Sequence, residues 1–173
     1  ISYCQKIFCY SNNIKKFPIR FKNKIEVIPA LLRKIFYDKK DNNNSSDAIN
    51  LLIIGGSQGA KIFDDLVKNT IIRLSKKYKI KIYQQTSAIN FKSFKKIYEN
   101  NNIKCELFDF NDEVINFMKK TDLCITRAGA STLAELNFNE IPYLAIPLPT
   151  AKDNHQFENA YFYNKLGFNW LLN

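Results

Sequence analysis

From residue 49 onward, short apolar runs alternate with longer segments whose apolar residues recur every three or four positions. Short runs are typical of buried strands, and the longer spacing is typical of amphipathic helices. The pattern predicts strands at 6–10, 49–54, 80–84, 104–108, 123–126, 143–146 and 169–172. It predicts helices at 60–78, 90–99, 112–120, 131–137 and 155–166. The first helix would bury one apolar face, formed by Ile62, Phe63, Leu66, Val67, Ile71 and Leu74.

The alternation of strands and helices indicates the fold class. Strands separated by helices form a parallel sheet that is covered by helices on both faces. We therefore predict an α/β fold with a Rossmann-like sheet. In such sheets ligands bind outside the carboxyl ends of the strands. The loops at 55–59, 109–113, 127–130 and 147–154 should share that edge.

The first of these loops is glycine-rich. The apolar run 51–54 leads into Gly55-Gly56-Ser57-Gln58-Gly59 and then into a helical pattern. Glycines let a backbone approach an anion closely, and the free N–H groups of a helix N-terminus attract phosphate. Neither the Lys-Ser/Thr pair of a P-loop nor the G-x-G-x-x-G order is present. The loop is either a site for another phosphate-bearing ligand or simply a tight connection.

A second turn of small residues follows the strand at 123–126. Ser131 or Thr132 could cap the next helix, and the helix start at Gly129 and Ala130 would form a second anion site. Two such turns on neighbouring strands could hold a diphosphate between them. Glu135 lies about one turn into this helix, where its carboxylate either accepts hydrogen bonds from ribose hydroxyls or complements the helix dipole.

The loop at 147–154 is stiffened by two prolines and ends at a helix start. Asp153 or Asn154 could cap that helix, and Gln156 would offer a donor and an acceptor to sugar hydroxyls. The single histidine, His155, is a weaker candidate for a general base, because no nucleophile or carboxylate pattern accompanies it.

Charge narrows the classes of partner. A formal net charge of +10 favours anionic partners, which include nucleic acid, an acidic membrane surface and a nucleotide, although a solvated basic face explains the same charge. The aromatic and basic residues do not interleave as they do in single-strand binders, so we predict no nucleic-acid partner. No apolar run reaches the ~20 residues that span a bilayer, and no signal peptide is recognisable.

The cysteines point away from metal chemistry. Cys4, Cys9, Cys105 and Cys124 have no C-x-x-C spacing, so we predict no zinc site and a reducing compartment. Cys124 falls inside a predicted strand, where a buried free thiol is the ordinary explanation.

Three motifs occur in order along the chain. They are Gly-Gly-Ser-Gln-Gly-Ala at 55–60, Arg-x-Gly-Ala-x-Thr-x-x-Glu at 127–135 and Asp-x-His-Gln-x-x-Asn-Ala at 153–160. Together with Ile141-Pro142, they resemble the C-terminal domain of the MurG-type glycosyltransferases of family 28. The resemblance covers roughly residues 25–173. It implies the C-terminal, donor-binding half of a two-domain GT-B fold, with residues 1–40 as the end of the N-terminal domain or an interdomain segment and 41–173 as the donor domain.

The family transfers N-acetylglucosamine from UDP-N-acetylglucosamine to lipid I, which gives lipid II for peptidoglycan and supports cell-wall growth and division. The resemblance implies that UDP-N-acetylglucosamine contacts a set of residues in this chain, without a metal or other cofactor. Ser57 with Gly55 and Gly56 would bind the diphosphate, Glu135 the ribose, Gln156 the sugar and Asn111 the uracil through its backbone, and Gln58 would also contact the donor. The remaining positions are Arg33, Gly129, Ala130, Ser131, Thr132, Leu133 and Ala134.

Two features differ from the family pattern. The Gly-Asn-Pro-Val-Arg element keeps only its arginine, as Arg33 in Pro29-Ala30-Leu31-Leu32-Arg33. The N-terminal domain, which holds the lipid I site, has no counterpart here, so we expect this part alone to be inactive and assign no catalytic residue to it. The family's peripheral attachment to the cytoplasmic membrane face is a further expectation. The alternative is a non-catalytic nucleotide-sugar-binding subunit that needs a separate acceptor-binding chain.

Overall fold

The computed structural model describes residues 1–12, 14, 16–37, 47–109 and 114–172, without the side chains of 56–62, 65 and 66. The chain divides into two compact units, Ile1–Leu32 and Arg33–Asn173. In the first unit, strand β1 (Ile7–Cys9) pairs in parallel with β2 (Ile25–Val27), and a short 3-10 helix, Ile19–Lys24, precedes β2. The predicted domain limit between residues 40 and 41 lies outside the described residues.

The second unit alternates strands and helices. Its strands are β3 (Ile49–Ile54), β4 (Ile80–Gln85), β5 (Lys104–Phe108), β6 (Leu123–Thr126), β7 (Tyr143–Ala145) and β8 (Asn169–Leu171). Its helices are α1 (Gly56–Ser75), α2 (Phe91–Asn100), α3 (Val114–Met118), α4 (Ala130–Phe138) and α5 (His155–Lys165). Short 3-10 helices lie at Lys34–Tyr37, Ala88–Asn90 and Lys152–Asn154.

The six strands β3 to β8 form one sheet in the order β5-β4-β3-β6-β7-β8, and every neighbouring pair is parallel. The chain therefore winds outward from β3 through β4 to β5, and then outward from β6 through β7 to β8. This order confirms the predicted Rossmann-like sheet. It also places a reversal of winding direction between β3 and β6.

The core of the second unit lies around the central strand β3. Residues 50 to 54 of this strand are all buried, as its continuous apolar run predicted. Phe63, Val67 and Ile71, which recur every four residues along α1, are buried in the same cluster as Leu51 and Ile53. This spacing places them on one face of the helix. Burial of each such side chain stabilises the fold by roughly 1.5–3 kcal/mol.

Element limits differ from the prediction mainly at helix ends. Helix α1 begins at Gly56 rather than 60, because only Gly55 separates it from β3. It ends at Ser75 rather than 78, where the N–H groups of Lys77 and Tyr78 turn back to the carbonyl of Leu74. Glycines have low helix propensity, but they are tolerated at a helix start.

Candidate functional site

The reversal of winding creates a crevice at the carboxyl ends of β3 and β6. The two strands end in register, with Ile54 opposite Thr126. The N–H of Arg127 then donates to the carbonyl oxygen of Ile54 at 3.2 Å. After β3 the chain turns toward β4 on one side of this strand pair, and after β6 it turns toward β7 on the other side. The loops that follow β3 and β6 therefore diverge. Open α/β sheets bind ligands at this topological switch point.

On the β3 side, helix α1 begins immediately at the crevice. Gly55 is buried and forms the N-cap, and no side chain caps the helix. The first N–H groups of a helix have no partner within it, so they are available to an anion. Gly56, Ser57 and Gln58 form the first turn, but their side chains lie outside the described part of the chain. Their predicted contacts with the donor stay predictions, as does the predicted contact of Asn111 with the uracil, because Asn111 lies outside the described residues.

On the β6 side, Gly129 is the N-cap of α4 and has an extended backbone with φ −67° and ψ 135°. The N–H of Leu133 donates to its carbonyl oxygen at 3.0 Å, which closes the first helical turn. The prediction that Ser131 or Thr132 caps α4 is therefore wrong, because both lie inside that turn and no side chain caps it. The first-turn N–H groups of α4 face no intrahelical acceptor.

Glu135 lies on α4, two positions beyond the first turn. The residue is only 7% exposed, and its Oε1 lies 3.4 Å from Nη2 of Arg33. Burial raises the pKa of the Glu135 carboxyl above its ordinary value of 4.5, and the adjacent positive charge of Arg33 only partly offsets this. The structure thus brings together two of the predicted site residues, and it shows a partly desolvated carboxylate next to the start of α4.

Gln156 lies in the first turn of α5. Its Oε1 accepts a hydrogen bond from the N–H of Leu148 at 2.9 Å, so its amide N–H groups are the end that can reach a ligand. Asn154 is the N-cap but makes no side-chain capping bond, and both it and Asp153 have left-handed backbones, with φ of 55° and 52°. Nδ1 of the exposed His155 lies 2.8 Å from the carbonyl oxygen of Lys152, so this ring supports the turn.

The model of the glycosyltransferase family 28 C-terminal domain matches residues 50–173. The chain belongs to glycosyltransferase family 28. The predicted resemblance is thereby confirmed for the greater part of the chain.

Curated relatives carry the name UDP-N-acetylglucosamine--N-acetylmuramyl-(pentapeptide) pyrophosphoryl-undecaprenol N-acetylglucosamine transferase. The protein of that name from Pelagibacter ubique is 84% identical over 100% of this chain and 49% of its own length. The one from Rickettsia bellii is 39% identical over 92% of this chain and 47% of its own length. The chain therefore spans about half the length of these relatives.

A solved structure of the same family shares the fold. The crystal structure of Acinetobacter baumannii MurG matches with a TM-score of 0.70 and 26% identity, over 87% of this chain and 44% of that one. The fold prediction, the C-terminal half of a GT-B glycosyltransferase, is confirmed by this match and by the parallel sheet.

Sequence reasoning missed one buried polar cluster of this family 28 domain, which joins α1 to the end of β4. The carboxylate of Asp64 accepts hydrogen bonds from Gln84 at 2.9 Å, Thr86 at 2.7 Å and Asn90 at 3.0 Å. The hydroxyl of Tyr98 donates to Gln84 in turn. Asp64 is one of two adjacent aspartates between the buried apolar positions 63 and 67, and the sequence does not show which of them is buried.

A second concavity, of about 860 Å³, lies at the opposite edge of the sheet, around the amino ends of β4 and β5. Ion pairs offset part of its charge, because Lys79 lies 3.8 Å from Asp47 and Lys81 lies 2.6 Å from Glu106. The lysines around it are Lys76, Lys77, Lys79, Lys81 and Lys104. We interpret it as a solvated basic face, since positive charge also complements the carboxyl end of α1.

Two features are absent among the described residues. No group of three or more His, Cys, Asp and Glu side chains is placed to hold a metal ion within them. None of the helices in the same part of the chain combines the length and the apolar character needed to cross a membrane. All four cysteines are free thiols, and Cys124 is buried as predicted, which raises the pKa of its thiol.

Proposed function

We propose that this chain binds the sugar-nucleotide donor of an N-acetylglucosaminyltransferase that uses UDP-N-acetylglucosamine and lipid I. The observation that carries the proposal is the crevice between β3 and β6, into which the N-termini of α1 and α4 open from register-matched strand ends. Two helix N-termini supply free N–H groups and partial positive charge to one place. The names of the relatives support the choice of donor and acceptor.

The chemistry follows from this placement. In the transfer, an acceptor hydroxyl forms a bond to the sugar carbon while the bond from that carbon to the diphosphate oxygen breaks, so negative charge develops on the departing UDP. N–H groups aimed at the diphosphate stabilise that charge in the transition state, as an oxyanion hole does. The amides at the start of α1 and α4, with the hydroxyl of Ser57, are the groups that we assign to this task.

The remaining donor contacts extend away from the diphosphate. We assign the Glu135 carboxylate to the ribose hydroxyls, Gln156 to the sugar and the backbone at Asn111 to the uracil. Arg33, which already pairs with Glu135, lies next to the ribose subsite in this arrangement. We place lipid I and the base that takes the proton of its hydroxyl outside residues 33–173, and we propose peripheral binding at the cytoplasmic face of the membrane.

Amide chemical shifts of the isotopically labelled chain test the assignment. Titration with UDP-N-acetylglucosamine should move the resonances of residues 55–57 and 129–132, at the two helix starts. Those of the basic face at residues 76–79 should stay in place, because they lie at the opposite edge of the sheet. Shifts confined to the basic face, or no shifts at millimolar donor, would contradict the proposal.

A further inference from the structure

A buried arginine connects two loops of the ligand edge. Arg127 directly follows β6, and its Nη1 donates to the carbonyl oxygens of Ile146 at 3.0 Å and Pro147 at 2.9 Å, in the loop after β7. Its guanidinium carbon lies 4.9 Å from the ring centre of Phe63 on α1. One side chain from the loop before α4 therefore contacts both the loop after β7 and helix α1.

Two further hydrogen bonds close a circuit through α5. The N–H of Leu148, the residue after Pro147, donates to Oε1 of Gln156. Nδ2 of Asn159, one turn further along α5, donates to the carbonyl oxygen of Ala128 at 3.1 Å. The circuit thus runs from Arg127 to the 146–148 loop, through Gln156 and Asn159, and back to the residue after Arg127.

Arg127 is energetically unfavourable at this buried position. It is 6% exposed, burial lowers the pKa of its guanidinium, and its Nε has no hydrogen-bond partner among the described residues. A buried charge is strongly destabilising unless its hydrogen bonds and partners offset the lost hydration. An apolar side chain would pack against Phe63 without that cost, but it could not hold two carbonyl groups. The guanidinium therefore fixes the positions of two carbonyl groups, which an apolar side chain could not do.

We propose that Arg127 is a positioning residue for sugar recognition, which holds the 146–148 loop so that Leu148 orients the carboxamide of Gln156. This inference rests on the proposed function, since Gln156 is assigned to the donor sugar there. The inference also restricts which kind of sugar group Gln156 can recognise. Because Oε1 is held by Leu148, Gln156 presents N–H groups, so the group that it recognises on the sugar is an acceptor oxygen, such as a hydroxyl or an acetamide carbonyl.

The test is a double-mutant cycle on the full chain, with calorimetric binding of UDP-N-acetylglucosamine and of UDP. Arg127→Met should weaken binding of the sugar nucleotide roughly tenfold, as expected for one lost ligand hydrogen bond, and leave binding of UDP within about threefold. In a Gln156→Ala background, Arg127→Met should not change the ratio of the two affinities further, because the residue acts through Gln156. Arg73→Met, at an exposed arginine of α1, is the matched control and should change neither affinity.

The outcomes separate the two proposals. Equal losses for UDP and UDP-N-acetylglucosamine would mean that Arg127 contacts the diphosphate, and an additive cycle would mean that it does not act through Gln156. Either result overturns this inference and leaves the proposed function intact. A wild-type chain that binds the sugar nucleotide no more tightly than UDP overturns this inference alone, and a folded chain that binds neither ligand removes both proposals. If Arg127→Met does not fold, Asn159→Ala cuts the same circuit at Ala128 and should reduce the same ratio.

Discussion

Arg33 and Glu135 form an ion pair beside the start of α4, with Nη2 of the arginine 3.4 Å from Oε1 of the glutamate. They are 102 positions apart in the chain. The side chain of Arg33 is 45% exposed, whereas that of Glu135 is 10% exposed. The carboxylate is therefore the more desolvated member of the pair. A ribose with two hydroxyl donors would give this carboxylate the hydrogen bonds that burial has taken from it.

Replacement of Glu135 by glutamine should raise thermal stability at neutral pH while it weakens nucleotide binding. The pKa of Glu135 is higher in the folded chain than its ordinary value of 4.5, so the protonated form stabilises the fold. That stabilisation is complete below pH 4.5 and is lost as the pH rises through the raised pKa. Glutamine imitates the protonated form. The melting temperature of Glu135→Gln should exceed that of the wild type at pH 7.5 and equal it at pH 4.

The same variant should bind UDP about tenfold more weakly, because hydrogen bonds to a charged acceptor are worth roughly 1.5–3 kcal/mol and an amide replaces the carboxylate. Arg33→Met is the companion variant. It removes the charge and the hydrogen bond of Arg33, both of which lower the pKa of Glu135, and should therefore widen the difference in melting temperature between pH 4 and pH 7.5. A Glu135→Gln chain that is less stable at pH 7.5 would show that the ion pair outweighs desolvation.

Replacement of Gly129 and of Gly167 by alanine should have opposite effects on stability and on UDP binding. Gly129 has φ −67°, which any residue adopts, and an added Cβ would meet only Thr132 Oγ1, at an ordinary 3.8 Å. Gly129→Ala should therefore fold with unchanged stability but weaken UDP binding at least tenfold, because the methyl group blocks close approach of phosphate to the backbone. A Gly129→Ala chain that binds UDP normally would exclude phosphate contact at this helix start.

Gly167, which follows α5, has φ +82° and open space around its added Cβ. Gly167→Ala should cost about 1–2 kcal/mol of unfolding free energy, the strain of a left-handed backbone, without an effect on UDP affinity. Urea denaturation and calorimetry on the two variants separate a conformational glycine from one that makes room for a ligand. Unchanged stability of Gly167→Ala would contradict the backbone assignment there.

Replacement of Asp64 should destabilise the fold through its buried partners. Three donors converge on this carboxylate, from Gln84, Thr86 and Asn90. In Asp64→Asn one oxygen becomes an N–H donor that faces other donors, so we expect a loss of about 1–3 kcal/mol in urea unfolding. Asn69→Ala, at an exposed position of the same helix, is the control. A loss no larger than that of the control would mean that the cluster contributes little.

Much of the sheet was predictable because short segments rich in apolar residues alternate with longer helical patterns along the chain. The limits Ile49–Ile54, Lys104–Phe108 and Leu123–Thr126 agree with the prediction residue for residue. Helix starts were harder, because the glycines at 55, 56 and 129 carry little propensity signal although they begin or cap helices here. The strand β2 was missed because Glu26 interrupts the apolar residues of this short segment.

The site was predictable where it depends on chain order and unpredictable where it depends on distant contacts. The loops after β3 and β6 were expected to meet, because parallel strands end at one edge. Three tertiary contacts join residues that no local pattern relates. They are the Arg33–Glu135 ion pair, the hydrogen bonds of the Asp64 cluster and the hydrogen bonds from Arg127 to Ile146 and Pro147. Such contacts follow from tertiary packing, so a sequence shows their members but not their partners.

Calorimetric titration of the chain with UDP-N-acetylglucosamine, UDP and ATP, beside Gln156→Ala, tests the central claim most directly. We predict that the sugar nucleotide binds more tightly than UDP, that ATP gives no measurable heat and that Gln156→Ala removes the preference for the sugar nucleotide while UDP binding stays unchanged. Equal affinities for UDP and ATP, or no binding of UDP-N-acetylglucosamine by the folded chain, would contradict the assignment of a donor site to the crevice between β3 and β6.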